Sequence, residues 1–356
     1  MTESPPLRRN DYALSADQRA LAEAFEEFFR KECPSSRVRD AEATGFDAGL
    51  WTDLCRLGAV SMAVGDPAAG GRASLVDLTL VAEPYGRYLA PLPLIESIVA
   101  AHMLERLGTA PATEWLHRLA EASCVVAVAL SPVQAGRRQL VPAGAIADAV
   151  LCHDGAELVL FEPARPLAHV RNQACAPLAR LDATGPAGAR TVLAHGPAAV
   201  ALMARARQEW KLLTAAALAG LAAGAVELGI DFAKSRHAFG APIGTFQAIA
   251  HSLVDAAAGA AGSRHLTWKA AWFSEHEPAS AEALVPMAYL HSIRSAVRAT
   301  AVGVHVQGGF GFTRDSDEQL YFRRAKGWPL VYGDPNHELS VIADAIRNGW
   351  APQMTA

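Results

Sequence analysis

A long run rich in alanine and leucine, from Ala198 to Lys234, places the strongest constraint on how this chain folds. Alanine has the highest intrinsic helix propensity, so the run predicts one long helix. Small side chains let neighbouring helices approach closely, as they do in a four-helix bundle. The run is apolar enough to raise the question of a membrane span, but Glu227 interrupts it, which favours a buried helix. Residues 198–356 are therefore predicted to form a C-terminal helical bundle.

Helical periodicity also marks the first third of the chain. Leu21, Phe25 and Phe29 recur at helical spacing, and Ser15 is a suitable N-cap before them. Similar amphipathic stretches cover residues 47–57, 75–89 and 95–107. Residues 1–120 are therefore predicted to form an N-terminal helical domain.

The middle of the chain has a different pattern. Short runs of β-branched and aliphatic residues cover 124–130, 149–152, 158–161 and 191–193. Asp154 and Gly155 separate two of these runs, which indicates a hairpin. Residues 121–197 are predicted to form a small β domain, so the whole chain is mainly α with a small central β domain.

Composition narrows the function classes. The net charge of −4 favours neither nucleic acid nor an anionic membrane as a partner. The N-terminus has no apolar leader, so a cytoplasmic protein with reduced thiols is expected. No metal site is expected, because the five cysteines and the C-terminal histidines are dispersed along the chain; they are Cys33, Cys55, Cys124, Cys152, Cys175, His237, His251, His291 and His337.

A motif follows the long helix, between Ser235 and His251. Its residues are Arg236, Phe239, Gly240, Pro242, Ile243, Phe246 and Gln247. An arginine can hold a pyrophosphate with two hydrogen bonds, an aromatic ring can cover an adenine, and Gln247 can bond a polar edge. The alternative is a simple helix boundary at which Gln247 is solvated.

A second motif lies between His305 and Ala325. Gly308 and Gly309 are close enough in sequence to let the backbone approach a phosphate. His305 and Gln307 can each donate a hydrogen bond beside them. The alternative is that the glycines only end a helix.

Together the two motifs resemble those of the acyl-CoA dehydrogenase family, whose members read R-x-x-F-G-x-P-I-x-x-F-Q and Q-x-x-G-G-x-G-[YF]. His305 stands where the family carries glutamine, and Gln307 where histidine is frequent. A weaker resemblance covers the first hundred residues, including Glu83 to Pro91. The resemblance implies an N-terminal helical domain, a β-barrel-like middle domain and a C-terminal four-helix bundle. It also implies FAD, an acyl-CoA thioester substrate and α,β-desaturation, with Arg236, Phe239, Gln247, His305, Gln307, Gly308 and Gly309 as cofactor-binding residues.

The chain departs from the family at the catalytic base. The usual glutamate position, after Tyr332, holds Gly333, which cannot accept the α-proton of a thioester. Some members carry the glutamate on the long helix instead, where this chain has Trp210. Glu209 is one residue away, and one residue turns a side chain by roughly 100°. Glu209 and Asp334 are therefore weak candidates for the base, as is Glu338, and each is otherwise expected to be an ordinary surface acid.

A flavin-contacting loop of the middle domain is also abbreviated, because residues 126–136 lack the family's acidic and hydroxyl-rich end. The resemblance therefore favours the degenerate subunit of a heterotetramer, of the kind found in steroid side-chain breakdown, whose homologous partner does the chemistry. Two alternatives stay open. One is a self-sufficient enzyme with a relocated carboxylate, as a homo-oligomer; the other is a non-enzymatic assembly or CoA-binding protein.

Overall fold

The computed structural model describes residues 12–65, 71–133, 137–182 and 188–348. Before the strands begin, these residues form helices α1 Ala16–Glu32, α2 Ser35–Asp40, α3 Ala48–Arg56, α4 Leu75–Arg87, α5 Leu94–Leu107 and α6 Ala110–Ala120. Ser15 caps α1 as expected: its Oγ accepts from the Gln18 backbone N–H, and the Gln18 side chain accepts from the Ser15 N–H. Helix α6 was not anticipated.

The central region contains short strands, β1 Val126–Val128, β2 Gln139–Val141, β3 Ala149–His153, β4 Glu157–Pro163, β5 Ala179–Leu181 and β6 Gly188–His195. One sheet has the order β1-β3-β4-β6, in which only β1 and β3 run parallel. Strands β2 and β5 form a separate antiparallel pair. The hairpin predicted at Asp154 and Gly155 is confirmed, because it joins β3 to β4. Residues 134–136 of the abbreviated loop lie outside the described residues.

Helices dominate again after the strands. They are α7 Gly196–Ser235, α8 Gln247–His276, α9 Pro278–Gln307, α10 Glu318–Gly327 and α11 His337–Arg347, and the two-residue strands β7 His237–Ala238 and β8 Ala241–Pro242 pair between α7 and α8. Helices α7, α8 and α9 pack against one another, while α10 and α11 pack on α9. The predicted long helix is confirmed.

Helix α7 also packs against α4, at a distance that glycine makes possible. A Cβ atom at Gly86 would lie 1.8 Å from the Ala217 carbonyl oxygen, and one at Gly220 would lie 1.9 Å from that of Glu83. Among the described helices, α7 is apolar and long enough to cross a membrane, but 78% of its most apolar window is buried inside the protein. This burial is typical of a core helix. Helix α7 contacts both the N-terminal helices α4 and α5 and the C-terminal helices α8 and α9.

The predicted fold class, mainly α with a small central β region, is confirmed. The boundary between β6 and α7 falls at His195 and Gly196. The division into domains at 1–120, 121–197 and 198–356 stays a prediction.

Candidate functional site

The first motif forms a tight corner at the end of α7. The chain reverses between β7 and β8 through Phe239 and Gly240, whose φ angles are 53° and 81°. Positive φ at both central residues is the geometry of a tight hairpin turn. The Ile243 N–H donates to the Arg236 carbonyl oxygen at 2.8 Å and closes the corner. As a result Phe239 projects from the protein and is 97% exposed.

Both motifs meet in one open groove, with a cavity volume of about 600 Å³. We call it the motif groove; it is lined by Phe232, Arg236, Ile243, Val306, Gln307, Gly308, Gly309 and Phe310. A volume of roughly 300–1,000 Å³ is usual for small-molecule and cofactor sites. Apart from their chain neighbours, no atom of the described residues lies within 4 Å of a Cβ position at Gly308 or Gly309, so these backbone positions are open.

The structure brings only some of the predicted cofactor residues to this groove. Arg236, Gln307, Gly308 and Gly309 line it, whereas Phe239, Gln247 and His305 do not. The Gln307 Oε1 accepts from Ser316 Oγ at 2.6 Å, which fixes its amide. The exposed ring of Phe239 instead packs edge-to-face on Phe246, with ring centroids 6.1 Å apart.

Sequence reasoning missed two aromatic residues of the groove. Phe232 and Phe310 lie face to face, with ring centroids 6.4 Å apart and an interplanar angle of 10°. Phe232 lies four residues before Arg236, so a helix places both on one face. This spacing was a usable signal, because the helix itself was predicted.

Gly333, at which the sequence resemblance places the catalytic glutamate, has no side chain to act as an acid. Gly333 is exposed and has a φ of 115°. The neighbouring Asp334 is also exposed, and its Oδ1 accepts from the Asn336 backbone N–H at 2.9 Å and side-chain amide at 3.0 Å. Asp334 therefore stabilises the turn before α11.

Glu338 is buried rather than a surface acid, so that expectation is wrong. Its carboxylate pairs with the Lys211 Nζ at 2.8 and 2.9 Å, and both side chains are almost fully buried. The same ammonium lies 4.9 Å from the centre of the Tyr332 ring. The ion pair thus joins α7 to α11 beside the Tyr332 ring.

Replacing Lys211 with methionine is expected to destabilise the fold by about 3–5 kcal/mol, because it leaves the Glu338 charge buried without a partner. Chemical denaturation measures the loss. The double variant Lys211→Met with Glu338→Leu is expected to recover most of it. Lys31→Met, at an exposed Lys31–Glu32 pair, is the control, with a change below about 0.5 kcal/mol. Equal effects at the two lysines would contradict the role of the buried pair.

Glu209 is likewise buried and not a surface acid. Its carboxylate bonds the His102 Nδ1 at 2.8 Å, the Arg106 guanidinium at 2.7 Å and the Arg205 Nε at 3.3 Å. Burial by itself raises the pKa of Glu209, but the hydrogen bonds and charges of His102 and Arg106 outweigh it and lower the pKa to about 2. A carboxylate held this way is a poor proton acceptor.

Glu209 also lies away from the face on which Trp210 is found, as predicted. It lines a cavity of about 450 Å³ between α4, α7 and the start of α9, together with Arg72, Leu212 and Val285. Trp210 lines a different cavity, and the two cavities share no residue. Glu209 and Trp210 are consecutive residues of α7, and the roughly 100° turn between them directs their side chains into different cavities.

The cavity beside Trp210 lies where all three regions of the chain meet, and we call it the inner cavity. Its volume is about 60 Å³, and its lining includes Tyr85, Glu96, Trp210, Thr214, Trp328 and Val331. The Trp210 Nε1 donates to Glu96 at 3.3 Å. Burial raises the pKa of Glu96, which favours its neutral form. Sequence reasoning missed Glu96, although a lone acid in the apolar stretch of α5 was visible.

Comparison with known proteins places this arrangement in a family. Residues 15–123 match the model of the acyl-CoA dehydrogenase N-terminal domain, and residues 200–347 match that of the acyl-CoA dehydrogenase C-terminal domain. The chain belongs to the acyl-CoA dehydrogenase family. It is an oxidoreductase of the acyl-CoA dehydrogenase family.

Among the relatives of this acyl-CoA dehydrogenase chain is the acyl-CoA dehydrogenase IpdE2 of Mycolicibacterium smegmatis. The two are 30% identical over 331 residues, which cover 92% of this chain and 97% of the relative. The ChsE4–ChsE5 complex from Mycobacterium tuberculosis has the same fold, with a TM-score of 0.80 and 22% identity over 96% of this chain and 100% of the matched chain. A glutaryl-CoA dehydrogenase from Mycobacterium smegmatis in complex with FADH2 also has this fold, with a TM-score of 0.79 and 17% identity. The match covers 98% of this chain and 97% of the glutaryl-CoA dehydrogenase chain.

Proposed function

We propose that this chain is a subunit of an FAD-dependent acyl-CoA dehydrogenase that introduces an α,β double bond into an acyl-CoA thioester. In this proposal the chain contributes to flavin binding and assembly, while a homologous subunit supplies the catalytic base. The observation that carries the proposal is a contrast. Arg236 and the paired glycines converge on the motif groove, whereas Gly333 stands at the position of the base.

The side chains of the motif groove fit the nucleotide part of FAD. The Arg236 guanidinium can hold a pyrophosphate bidentately, and the open backbone at Gly308 and Gly309 admits close approach of a phosphate or ribityl chain. Phe232 and Phe310 offer an aromatic wall beside them. When bound, FAD supplies the acceptor for the hydride that leaves the β-carbon.

No carboxylate of this chain is well arranged to remove the α-proton. Asp334 serves the turn before α11, and Glu338 is paired with Lys211. Glu209 lies in the separate cavity, where its negative charge is paired with Arg106 and Arg205. Glu96 faces the inner cavity, where burial raises its pKa and its carboxyl already accepts from the Trp210 Nε1 at 3.3 Å. This distribution supports a base on another subunit.

The surface around the groove supports assembly with another chain. Five large apolar side chains are exposed there or on the adjoining face of α8, namely Phe239, Phe246, Val254, Phe310 and Phe312. Exposed apolar patches of this kind mark interaction surfaces. The ChsE4–ChsE5 structure is itself a complex of two proteins. We infer that the partner is a homologous acyl-CoA dehydrogenase subunit, and that a homo-oligomer is the alternative. We also infer that the assembly works in the cytoplasm and binds neither nucleic acid nor a membrane.

A self-sufficient enzyme with a relocated base is the second candidate function, because Glu209 is ionised and opens on a large cavity. Replacing Glu209 with glutamine tests it. If the carboxylate is structural, desaturation by the assembled enzyme is expected to persist, while stability at neutral pH falls by about 3 kcal/mol. The reason is that the folded pKa of about 2 lies below the ordinary value, so the stabilisation is present at neutral pH and is lost as pH falls towards 2.

Asp334→Asn is the matched control for Glu209→Gln, because the exposed Asp334 only joins the turn before α11. We expect this variant to retain both activity and stability within about 0.5 kcal/mol. Loss of desaturation in either amide variant, with folding intact, would instead identify the relocated base. Steady-state turnover of an acyl-CoA and urea melts on the same preparations separate the two outcomes.

A further inference from the structure

One wall of the motif groove is held by a loop that returns to the end of α9. After Gln307, the last residue of α9, the chain forms a short 3₁₀ helix, Gly308–Phe312, and reaches Ser316 just before α10. The loop lies close against α9, because a Cβ atom at Gly311 would lie only 2.8 Å from the Val304 carbonyl oxygen. This return buries Ser316, which is 1% exposed, against the side chain of Gln307.

The Ser316 hydroxyl makes both of its hydrogen bonds inside this loop. Its oxygen accepts from the Glu318 backbone N–H at 3.1 Å, and its one proton is donated to the Gln307 Oε1 at 2.6 Å. The Glu318 carboxyl does not take that proton, since neither of its oxygens has a hydrogen-bond partner among the described residues. With the Gln307 amide reversed, the serine proton would have no acceptor. The hydrogen bonds therefore assign the amide oxygen to Ser316 and leave the nitrogen on the other side.

The Gln307 nitrogen is available to a ligand in the motif groove, which this residue lines. It has no hydrogen-bond partner among the described residues. It is also not enclosed, unlike the buried unpaired hydroxyls of Ser97 and Ser292. An amide nitrogen carries two protons that it can donate. The groove therefore contains a fixed neutral donor in addition to the Arg236 guanidinium.

The orientation of the amide decides whether it helps or opposes an anion in the groove. Two helices end there, α7 at Ser235 and α9 at Gln307, and the C-terminus of a helix carries partial negative charge. An amide oxygen turned towards the groove would add to that negative charge. The nitrogen counters it, and can donate a hydrogen bond to a charged phosphate oxygen.

His305 does not provide this donor. The family resemblance places a glutamine at position 305, but His305 is exposed and does not line the motif groove. Gln307 lies two residues later on α9, which turns its side chain by roughly 200° relative to that of His305. The amide therefore reaches the groove from position 307, where Ser316 can hold it.

We propose that Ser316 is a positioning residue. It holds the Gln307 amide with its nitrogen towards the motif groove, where the nitrogen donates to the diphosphate of the bound dinucleotide. The inference rests on the proposed function, because it requires the groove to hold FAD. It deepens that function by assigning a residue that does not itself line the groove and by stating which end of the Gln307 amide meets the ligand.

A double-mutant cycle on the apoenzyme of the assembled complex tests the role of Ser316, with FAD affinity measured by fluorescence titration. Ser316→Ala is expected to weaken FAD binding about 3- to 10-fold, since the amide is no longer oriented, and Gln307→Ala about 10-fold. In the Gln307→Ala background, Ser316→Ala should change the affinity by less than about 2-fold. Thr313→Val is the matched control, because the Thr313 hydroxyl bonds the Phe310 carbonyl oxygen within the same loop.

Gln307→Glu tests which end of the amide faces the ligand. Ser316 can still donate to one carboxylate oxygen, so the second oxygen replaces the amide nitrogen with a negative charge. We expect this variant to bind FAD more weakly than Gln307→Ala does, with a difference that shrinks as salt is added. ADP, which carries the diphosphate but no flavin, is titrated in competition with FAD and should show the same order of affinities.

The outcomes separate this inference from the proposed function. If Arg236→Ala weakens FAD binding but Ser316→Ala does not, the positioning role is wrong while the groove still holds FAD. Equal losses from Ser316→Ala with and without Gln307 would show that Ser316 acts only through the stability of the loop, which also overturns the inference. So would Gln307→Glu binding as tightly as Gln307→Ala, or an ADP affinity that none of these variants changes. If neither Arg236→Ala nor Ser316→Ala changes FAD affinity, the proposed function of the groove fails together with the inference.

Discussion

Replacing Arg236 with alanine is expected to weaken FAD binding by the assembled enzyme about 10- to 100-fold. A hydrogen bond to a charged group is worth about 1.5–3 kcal/mol, and Arg236 is the cationic side chain in the lining of the motif groove. The side chain is exposed in this chain, so its removal leaves no buried cavity behind. Fluorescence titration of the apoenzyme with FAD measures the change.

Arg236→Lys separates charge from geometry, because an ammonium keeps the charge but lacks the planar fork. We expect an intermediate loss. Arg56→Ala is the control, since Arg56 lies on α3 in an exposed pair with Asp53. Unchanged FAD affinity in Arg236→Ala, with the assembly intact, would show that the motif groove does not hold the nucleotide.

Replacing Glu318 with glutamine is expected to remove a large pH dependence of stability. Glu318 is fully buried at the start of α10, and neither carboxyl oxygen has a hydrogen-bond partner among the described residues. Burial, with a smaller contribution from Asp317, raises the pKa of Glu318 to about 9. Between the unfolded pKa of about 4.3 and that value, only the native state keeps the proton. Stability therefore falls by about 1.4 kcal/mol for each pH unit as pH rises through this window.

The glutamine variant is expected to lack this slope while keeping the size of the side chain. The fit is tight, because a Cβ atom at Gly303 would lie 2.0 Å from the Glu318 Oε1. Urea melts from pH 5 to 9 on both proteins measure the slope. Glu282→Gln, at an exposed position, is the control. Parallel pH profiles for the natural chain and Glu318→Gln would contradict a neutral buried acid.

The larger elements could be predicted because their signals are local. The alanine-rich run predicted α7, and the turn pair Asp154 and Gly155 predicted the β3–β4 hairpin. The convergence of Arg236 with Gly308 and Gly309 came from the family resemblance, since these residues are far apart in sequence. Strands β2 and β5 were missed, because Gln139 and Arg180 leave no continuous apolar run there, unlike the run that contains the equally short β1.

The environment of the acids could not be predicted, because it depends on distant partners. Glu209 meets His102 and Arg106 about a hundred residues earlier in the chain, and Glu338 meets Lys211. Local sequence gives these glutamates the appearance of surface acids. Their burial follows from the packing of α5 against α7 and of α11 against α9, and their ion pairs explain why a charged group tolerates it.

The folded chain shows which side chains surround the Gly333 position. Neither Asp334 nor Glu338 is free to take the place of the glutamate that the resemblance predicts at Gly333. Instead, Lys211 and Glu338 form a buried ion pair beside Tyr332. The Trp210 side chain lines the small inner cavity next to them. These contacts stabilise packing rather than proton transfer, which supports the proposed role as a contributing subunit.

The most direct test of this account is the FAD content and desaturation activity of the chain purified alone and after co-expression with a homologous acyl-CoA dehydrogenase subunit. Absorbance at the flavin bands gives the FAD content, and turnover of an acyl-CoA thioester gives the activity. We predict that the chain alone is colourless and inactive, and that the co-purified complex carries FAD and turns over the thioester. A yellow, active homo-oligomer made from this chain alone would contradict the account.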